Sequence, residues 1–224
     1  MYFLKLSLPS LASFARLGIA LFESVSMNRF VRTLVASLLV LSAGASHAQK
    51  APASIDQRWA HSPAGFSVGV LEPLGGRILI PAGWSLVPAH DNTAYAWRVV
   101  PSGQRNHIEA QLFLVFQGKV TEIEGMPPSA LVDKEFKDKK AQASRVVSEC
   151  SPSQAGLFTR RCLELDVNIN GQPQRTRLTA LYNDQMQLAA FIMVGSDAQK
   201  WSKYSPIFDK MANIELIDMD RFNK

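Results

Sequence analysis

Residues 157–217 read LFTRRCLELDVNINGQPQRTRLTALYNDQMQLAAFIMVGSDAQKWSKYSPIFDKMANIELI and hold the clearest structural pattern in the chain. Apolar and polar side chains alternate from Leu163 to Ile169, which is the period of a strand with one buried face. Asn170-Gly171 is the strongest signal for a two-residue hairpin turn, so residues 176–182 are predicted to return as a second strand. Residues 187–194 are apolar on both faces, as expected of a third strand with its two faces covered.

A helix and a short strand are predicted to close this block. The apolar side chains of the helix form one stripe: Trp201, Tyr204, Phe208 and Met211. Ser205 and Pro206 are predicted to interrupt the helix and restart it, since serine caps helices and proline favours the first helical position. Residues 214–217 alternate like an edge strand.

Further strands are predicted upstream for the same sheet. Residues 76–80 are rich in β-forming side chains, and Pro81-Ala82-Gly83 is predicted to turn them back as a hairpin into residues 84–87. Strands are also predicted at 93–100 and 108–118. We expect segments 76–87 and 108–116 to lie beside strand 187–194.

A second helix is predicted over residues 129–143, with Ser129 as its cap. Its lysines are interleaved with Asp133, Glu135 and Asp138, which favours a solvated face over a nucleic-acid or membrane contact. Residues 146–150 then return to β structure.

The N-terminal part has the layout of a secretory signal. Residues 27–32 supply two arginines, residues 33–44 are apolar but shorter than the ~20 residues of a membrane span, and Ser46-His47-Ala48 offers a cleavage site. We therefore expect residues 27–48 to be a cleavable signal peptide ending near Ala48, and the protein to reach the periplasm with no stable membrane span. Residues 1–26 are interpreted as an upstream extension, with Met27 as the initiator.

The remaining chain is predicted to hold one domain. Residues 49–74 are assigned to a linker, residues 75–217 to a single α+β domain and residues 218–224 to a C-terminal tail. Residues 1–48 hold four of the 24 basic residues and one of the 19 acidic residues, which leaves 20 and 18 for the rest. This near-neutral body argues against a nucleic-acid partner.

Cys150 and Cys162 are the only cysteines of the chain. Pro152 and Gly156 lie between them and favour a turn, and a disulfide is the default for such a pair in an oxidising compartment. The pair lacks the C-x-x-C spacing of redox-active cysteines, so a structural bridge is predicted. Two cysteines without nearby histidines predict no zinc site.

No catalytic motif is recognisable in the sequence. His90 and His107 are the candidates for a hydrolase, but a polar turn explains His90-Asp91 equally well. Glu122 and Glu124 are candidates for paired acid–base carboxylates, although exposed loop charges explain them better. Gly75-Gly76 opens a strand rather than a helix, so the sequence predicts no phosphate site, no cofactor and no metal.

The order of elements resembles the PsbP-like fold family, which includes photosystem accessory proteins and small bacterial envelope proteins such as the DcrB-like group. The resemblance rests on residues 80–84 (IPAGW) and on Trp201, Phe208 and Ile214 after an apolar strand, and it covers residues 75–217. It implies an α+β fold, with helices packed on an antiparallel sheet as an α/β/α sandwich, and a role in binding partners rather than in catalysis. Many bacterial relatives are lipoproteins, but no cysteine follows the signal here, which implies a soluble periplasmic protein.

Three functions remain open from the sequence. The first is an exported, non-catalytic binding or accessory protein that recognises a protein or envelope component through its sheet edge or a cleft beside the closing helix. The second is a periplasmic hydrolase that uses His90 or His107, and the third is a small-ligand or lipid carrier. The candidate binding surface consists of aromatic side chains, for which core packing is the commoner use: Trp84, Tyr95, Trp97, Tyr182 and Trp201.

Overall fold

The computed structural model describes residues 59–103, 109–169 and 171–218. The predicted upstream extension, the signal peptide and His107 lie outside these ranges. Two antiparallel sheets and three α-helices make up the described part of the chain, and this confirms the predicted α+β class with helices packed on antiparallel strands.

The smaller sheet has the strand order β1-β2-β10. Its strands are β1 (Phe66–Leu71), β2 (Gly75–Pro81) and β10 (Glu215–Ile217). The larger sheet has seven strands in the order β3-β4-β5-β9-β8-β7-β6. Its strands are β3 (Trp84–Pro88), β4 (Tyr95–Pro101), β5 (Ala110–Gln117), β6 (Arg145–Ala155), β7 (Phe158–Ile169), β8 (Gln172–Asn183) and β9 (Leu188–Asp197).

The helices lie on opposite faces of the large sheet. They are α1 (Val120–Glu124), α2 (Pro128–Gln142) and α3 (Trp201–Met211), the last preceded by a 3-10 turn (Ala198–Lys200). On one face, α2 packs across β7, β8 and β9; on the other, α3 packs between β9 and strand β2 of the small sheet. We call these two faces the α2 face and the α3 face.

Each face has its own apolar core. Side chains that are nearly or wholly buried fill the α3 face: Leu71, Ile78, Trp97, Leu112, Leu114, Phe208 and Met211. On the α2 face, the stripe of α2 covers buried leucines of β7 and β8: Leu131, Val132 and Phe136 above Leu163, Leu165 and Leu178. Burial of each side chain of this size stabilises the fold by about 1.5–3 kcal/mol relative to an exposed one. The two apolar cores therefore stabilise the sheet from both faces.

The hairpin of β7 and β8 follows the predicted alternation. Ile169 pairs with Gln172, so the turn between them has two residues, and its second residue, Gly171, has φ of +80°. That conformation is open to glycine at no steric cost, as the Asn-Gly signal requires. β9 joins β8 to β5, which confirms the predicted neighbour 108–116.

The predicted hairpin at Pro81-Ala82-Gly83 is wrong. β2 and β3 belong to different sheets, because β2 pairs with β1 and β10 while β3 pairs with β4. The turn instead carries the chain from one sheet to the other and is held by backbone hydrogen bonds from Ala82 to Gly65 and from Ser102 to Gly83. The linker assignment also changes, since residues 66–71 form β1.

Three local predictions on the helices differ from the structure. Pro206 lies inside a continuous α3 rather than at a restart after Ser205. α2 begins at Pro128, and the Ser129 hydroxyl binds the Asp184 carboxylate instead of capping the helix. Glu122 and Glu124 belong to the short helix α1 rather than to an exposed loop.

Candidate binding site at the free edge of the large sheet

Strand β6 is the outermost strand of the large sheet and is exposed along its length. It pairs only with β7, and of its 11 residues only Cys150 is half-buried. An edge strand presents unpaired backbone N–H and C=O groups, which are a template for pairing with another chain. At the opposite edge, β3 offers only five residues.

The N-terminal half of β6 is the part of this edge that is paired more regularly with β7. Register shifts interrupt the pairing with β7 between Val146 and Ser148 and between Cys150 and Ser153. Pro152 lies within the second pairing break and lacks a backbone N–H donor. Bulges and proline protect edge strands from pairing, and segment 145–150 contains only the one-residue bulge at Val147, while the longer break and Pro152 lie beyond it. This segment is therefore the part of β6 best suited to accept a new strand.

A disulfide fastens this segment to the sheet. Cys150 and Cys162 are directly opposed on β6 and β7, with their Cα atoms 5.3 Å apart, and the predicted bridge is confirmed. In the chain-entropy model a bridge that closes a loop of this size stabilises the fold by about 3 kcal/mol. The bridge limits fraying of β6, which has a neighbouring strand on one side alone.

Ion pairs brace both ends of segment 145–150. Arg145 donates to the Asp166 carboxylate at 2.6 and 2.9 Å, and Arg175 donates to the same carboxylate at 2.7 Å. The hydrogen bond from Arg175, together with that from Arg145, holds the pKa of Asp166 below its usual value. Glu149 accepts hydrogen bonds from Lys140 of α2 and from Arg161, which lower the pKa of Glu149.

Exposed valines supply the apolar part of this site. Val146 is 48% exposed and Val147 is 37% exposed, although most valines of a folded domain are buried. Val146 lies opposite Leu165, and Val147 occupies the bulge that follows. The predicted site residues did not include Arg145, Val146 or Val147. The sequence feature that could have indicated this site is the pair of β-branched valines at the start of a strand.

The predicted aromatic surface does not form one site. Trp97 is 1% exposed and belongs to the core, where its indole N–H donates to the Glu72 carbonyl. Trp84 and Trp201 both pack against Phe208, with ring centroids 6.4 and 5.8 Å away. Tyr95 and Tyr182 lie apart from each other. Tyr95 stacks on Trp97 in β4, Tyr182 lies on β8, and strands β5 and β9 lie between them.

His90 lies in a polar turn, and both of its ring nitrogens bind backbone groups. Nδ1 accepts from the N–H of Ala96 and Nε2 donates to the carbonyl of Glu72, each at 3.0 Å. Burial lowers the pKa of His90, which favours the neutral ring that this arrangement needs. The neighbouring Asp91 carboxylate caps the turn by accepting from the N–H groups of Thr93 and Ala94. A general base needs a free nitrogen within reach of its substrate, and His90 has none here.

The predicted carboxylate pair has separate partners. Glu122 pairs with Lys119 at 3.1 Å, and Glu124 accepts a hydrogen bond from Gln117 at 2.9 Å. Among the described residues, no three or more His, Cys, Asp or Glu side chains are grouped to hold a metal ion. The described helices also include none with the length and apolar character of a membrane span; α2, the longest, has 15 residues.

Comparisons with known proteins give likenesses to solved structures. No protein-family model matches the chain, and no curated protein matches it. The chain is similar to LpqN of Mycobacterium tuberculosis, a protein involved in cell envelope biogenesis, with 12% identity over 69% of this chain and 87% of LpqN and a TM-score of 0.43. It is also similar to PsbP of Synechocystis sp. PCC 6803, with 12% identity over 67% of this chain and 91% of that one and a TM-score of 0.43.

A third likeness is to the Ran-binding protein Mog1p of Saccharomyces cerevisiae, with 9% identity over 69% of this chain and 97% of that one and a TM-score of 0.44. A PsbP is thus among the solved structures to which the chain is similar. The narrower resemblance to the DcrB-like group stays a prediction.

Proposed function

We propose that this chain is an exported, non-catalytic accessory protein that binds a protein component of the cell envelope through strand β6. The observation that carries the proposal is segment 145–150, a braced and exposed strand with one unpaired edge. In strand addition, main-chain hydrogen bonds supply affinity and the flanking side chains supply specificity. Val146 and Val147 are the side chains that would select the partner.

Two observations support export. Residues 27–48 have the charged, apolar and small-residue regions of a cleavable signal. The bridge between Cys150 and Cys162 fits a compartment in which disulfides persist, and it stiffens the strand that is proposed to bind. We assign the periplasm as the place of action.

A site-specific photo-crosslinker tests the proposal in cells. The gene is expressed in full, and p-benzoylphenylalanine replaces Val147 on β6 or, as a matched control, Val70 on β1, which is 41% exposed. We expect an adduct with an envelope protein from position 147 and none of the same mass from position 70. Adducts of equal mass and yield at both positions, or none at 147, would contradict a binding site on β6.

A substitution separates strand addition from simple proximity. Val147→Lys places a charge beside the free edge, a device that natural edge strands use against pairing. It is expected to abolish co-purification of the crosslinked partner, while Val70→Lys leaves it intact. An unchanged yield with Val147→Lys would argue that the partner contacts the protein elsewhere.

A further inference from the structure

One row of cross-strand neighbours runs across the α2 face of the large sheet. From the β3 edge inward, its consecutive paired members are Val87, Arg98, Phe113, Met193, Leu178 and Leu163. Directly opposed residues of adjacent strands point to the same face, so these side chains form a continuous strip.

The strip is covered at one end and open at the other. Leu163 and Leu178 lie on β7 and β8 beneath α2 and are 0% and 6% exposed. Beyond α2, Val87 is 37% exposed, and the three residues between Val87 and Leu178 are half-buried. We call Val87, Arg98, Phe113 and Met193 the open row.

Arg98 gives the open row its chemical character. It is half-buried between the apolar side chains of Val87 and Phe113, and no carboxylate pairs with it among the residues that the structure describes. Covering a guanidinium without an acceptor is unfavourable, because the charge loses its hydration and gains no partner. Whatever covers the open row must therefore bring both an apolar surface and an anionic group.

The covered half of the same face shows how the fold meets this requirement. Arg161 projects from β7 on the α2 face, where two side chains of α2 contact it. Asp133 forms an ion pair with Arg161, and the Phe136 ring lies 4.6 Å from the guanidinium carbon. Asp133 and Phe136 are three residues apart, the spacing that places both on one side of a helix.

We propose that the open row is a docking site for an amphipathic helix of a partner protein, one that presents a carboxylate and, three residues later, an aromatic side chain. The four residues lie on four adjacent strands, so they span three inter-strand spacings, or about 14 Å. A helix with its side chains is about 10–12 Å wide, which matches that span. The site is separate from β6 and goes beyond the function proposed for that strand.

A pair of synthetic peptides tests the carboxylate requirement. Both are fluorescein-labelled helical probes of about 18 residues with a leucine stripe; one carries Asp-x-x-Phe in the stripe and the other Asn-x-x-Phe. They are titrated against the protein made from its full gene, and binding is followed by fluorescence anisotropy. We expect the Asp probe to bind about tenfold more tightly than the Asn probe, as for a partly buried charge pair.

Protein variants locate the effect. Arg98→Gln is expected to remove the preference for the Asp probe, so that both probes bind alike. Arg160→Gln is the matched control, because Arg160 is an exposed arginine of β7 on the α3 face and also has no carboxylate partner among the described residues. Val147→Lys on β6 should leave probe binding unchanged, which keeps this test independent of the function proposed for β6.

Several outcomes would overturn the proposal. Equal affinity of the two probes for the unmodified protein, or an Asp preference that survives Arg98→Gln, removes the role of Arg98. If Arg98→Gln lowers the melting temperature, Val87→Glu replaces it as the test variant. The proposal then requires that Val87→Glu weaken binding of the Asp probe more than binding of the Asn probe. A dimer in sedimentation that Val87→Glu dissociates would show that a second copy of the chain, not a partner helix, covers the open row.

Discussion

At the scale of single residues, Asp166 shows how a side chain holds the free edge in place. Its carboxylate accepts from Arg175 on β8 and from Arg145 on β6, so one anion joins the edge strand to the second strand inward. The Asp166 side chain is 18% exposed, against 63% for Arg145. Charge-assisted hydrogen bonds to a carboxylate that is mostly shielded from water stabilise the fold more than a fully exposed ion pair does.

Acid is expected to weaken the fold through Asp166. Its pKa in the folded protein lies below the ordinary 3.8, so its stabilising effect is complete above that value and is lost as the pH falls through the folded pKa. Between pH 6 and pH 3, urea unfolding should show the unmodified protein losing more stability than Asp166→Asn, by up to about 1 kcal/mol. Asp209→Asn is the control, because Asp209 pairs with Arg177 but is 62% exposed. Parallel losses in the unmodified protein and in Asp166→Asn would refute the assignment.

Residue-scale prediction from sequence fails where burial decides the role. Trp97 and Trp201 look alike in sequence, but Trp97 is inside the core while Trp201 packs at its margin. The cysteines were predicted correctly because their chemistry depends on local chain reversal. Arg98 was not singled out, since only the strand order shows that α2 stops short of it.

At the scale of elements, local signals predicted the hairpin of β7 and β8 correctly, but they did not predict which strands pair over long sequence distances. β7 and β8 were read from alternation and an Asn-Gly turn, both of which are local properties. β2 also precedes a turn with glycine, yet it pairs with β10, which lies more than a hundred residues away in sequence. A choice between pairing partners of that kind rests on tertiary packing, which propensity does not encode.

Removing the disulfide tests its role in bracing β6. Cys150→Ser and Cys162→Ser should each lower the free energy of unfolding by about 3 kcal/mol, because the unfolded chain regains the freedom of the loop. The measurement is chemical denaturation, with and without a reductant. The reductant should destabilise the unmodified protein by a similar amount and leave the two variants unaffected. A thiol assay under denaturant should find no free thiol before reduction, and two free thiols would contradict the bridge.

At the scale of the whole molecule, the two-faced sheet predicts a gradient of local stability. β5 and β9 lie at the centre, with strands on both sides and mostly buried side chains, whereas β6 has one neighbour and exposed side chains. Amide hydrogens in low-stability elements exchange through local opening, and those of the core exchange only through global unfolding. The free edge is thus expected to be the part of the sheet most able to rearrange around a partner.

Hydrogen exchange followed by mass spectrometry checks this gradient. Exchange of the β5 and β9 amides should require global unfolding, and the amides of β6 should exchange much faster. This difference is expected although β6 is as long as most strands in the sheet. Reduction of the bridge between Cys150 and Cys162 lowers the free energy of global unfolding and should therefore speed exchange in β4 and β5 too. The acceleration should be larger in β6 and β7, because the bridge joins only the edge pair. Equal protection of β6 and β9 would mean that the edge is already covered in the free protein, and both the gradient and the binding role proposed for β6 would then fail together.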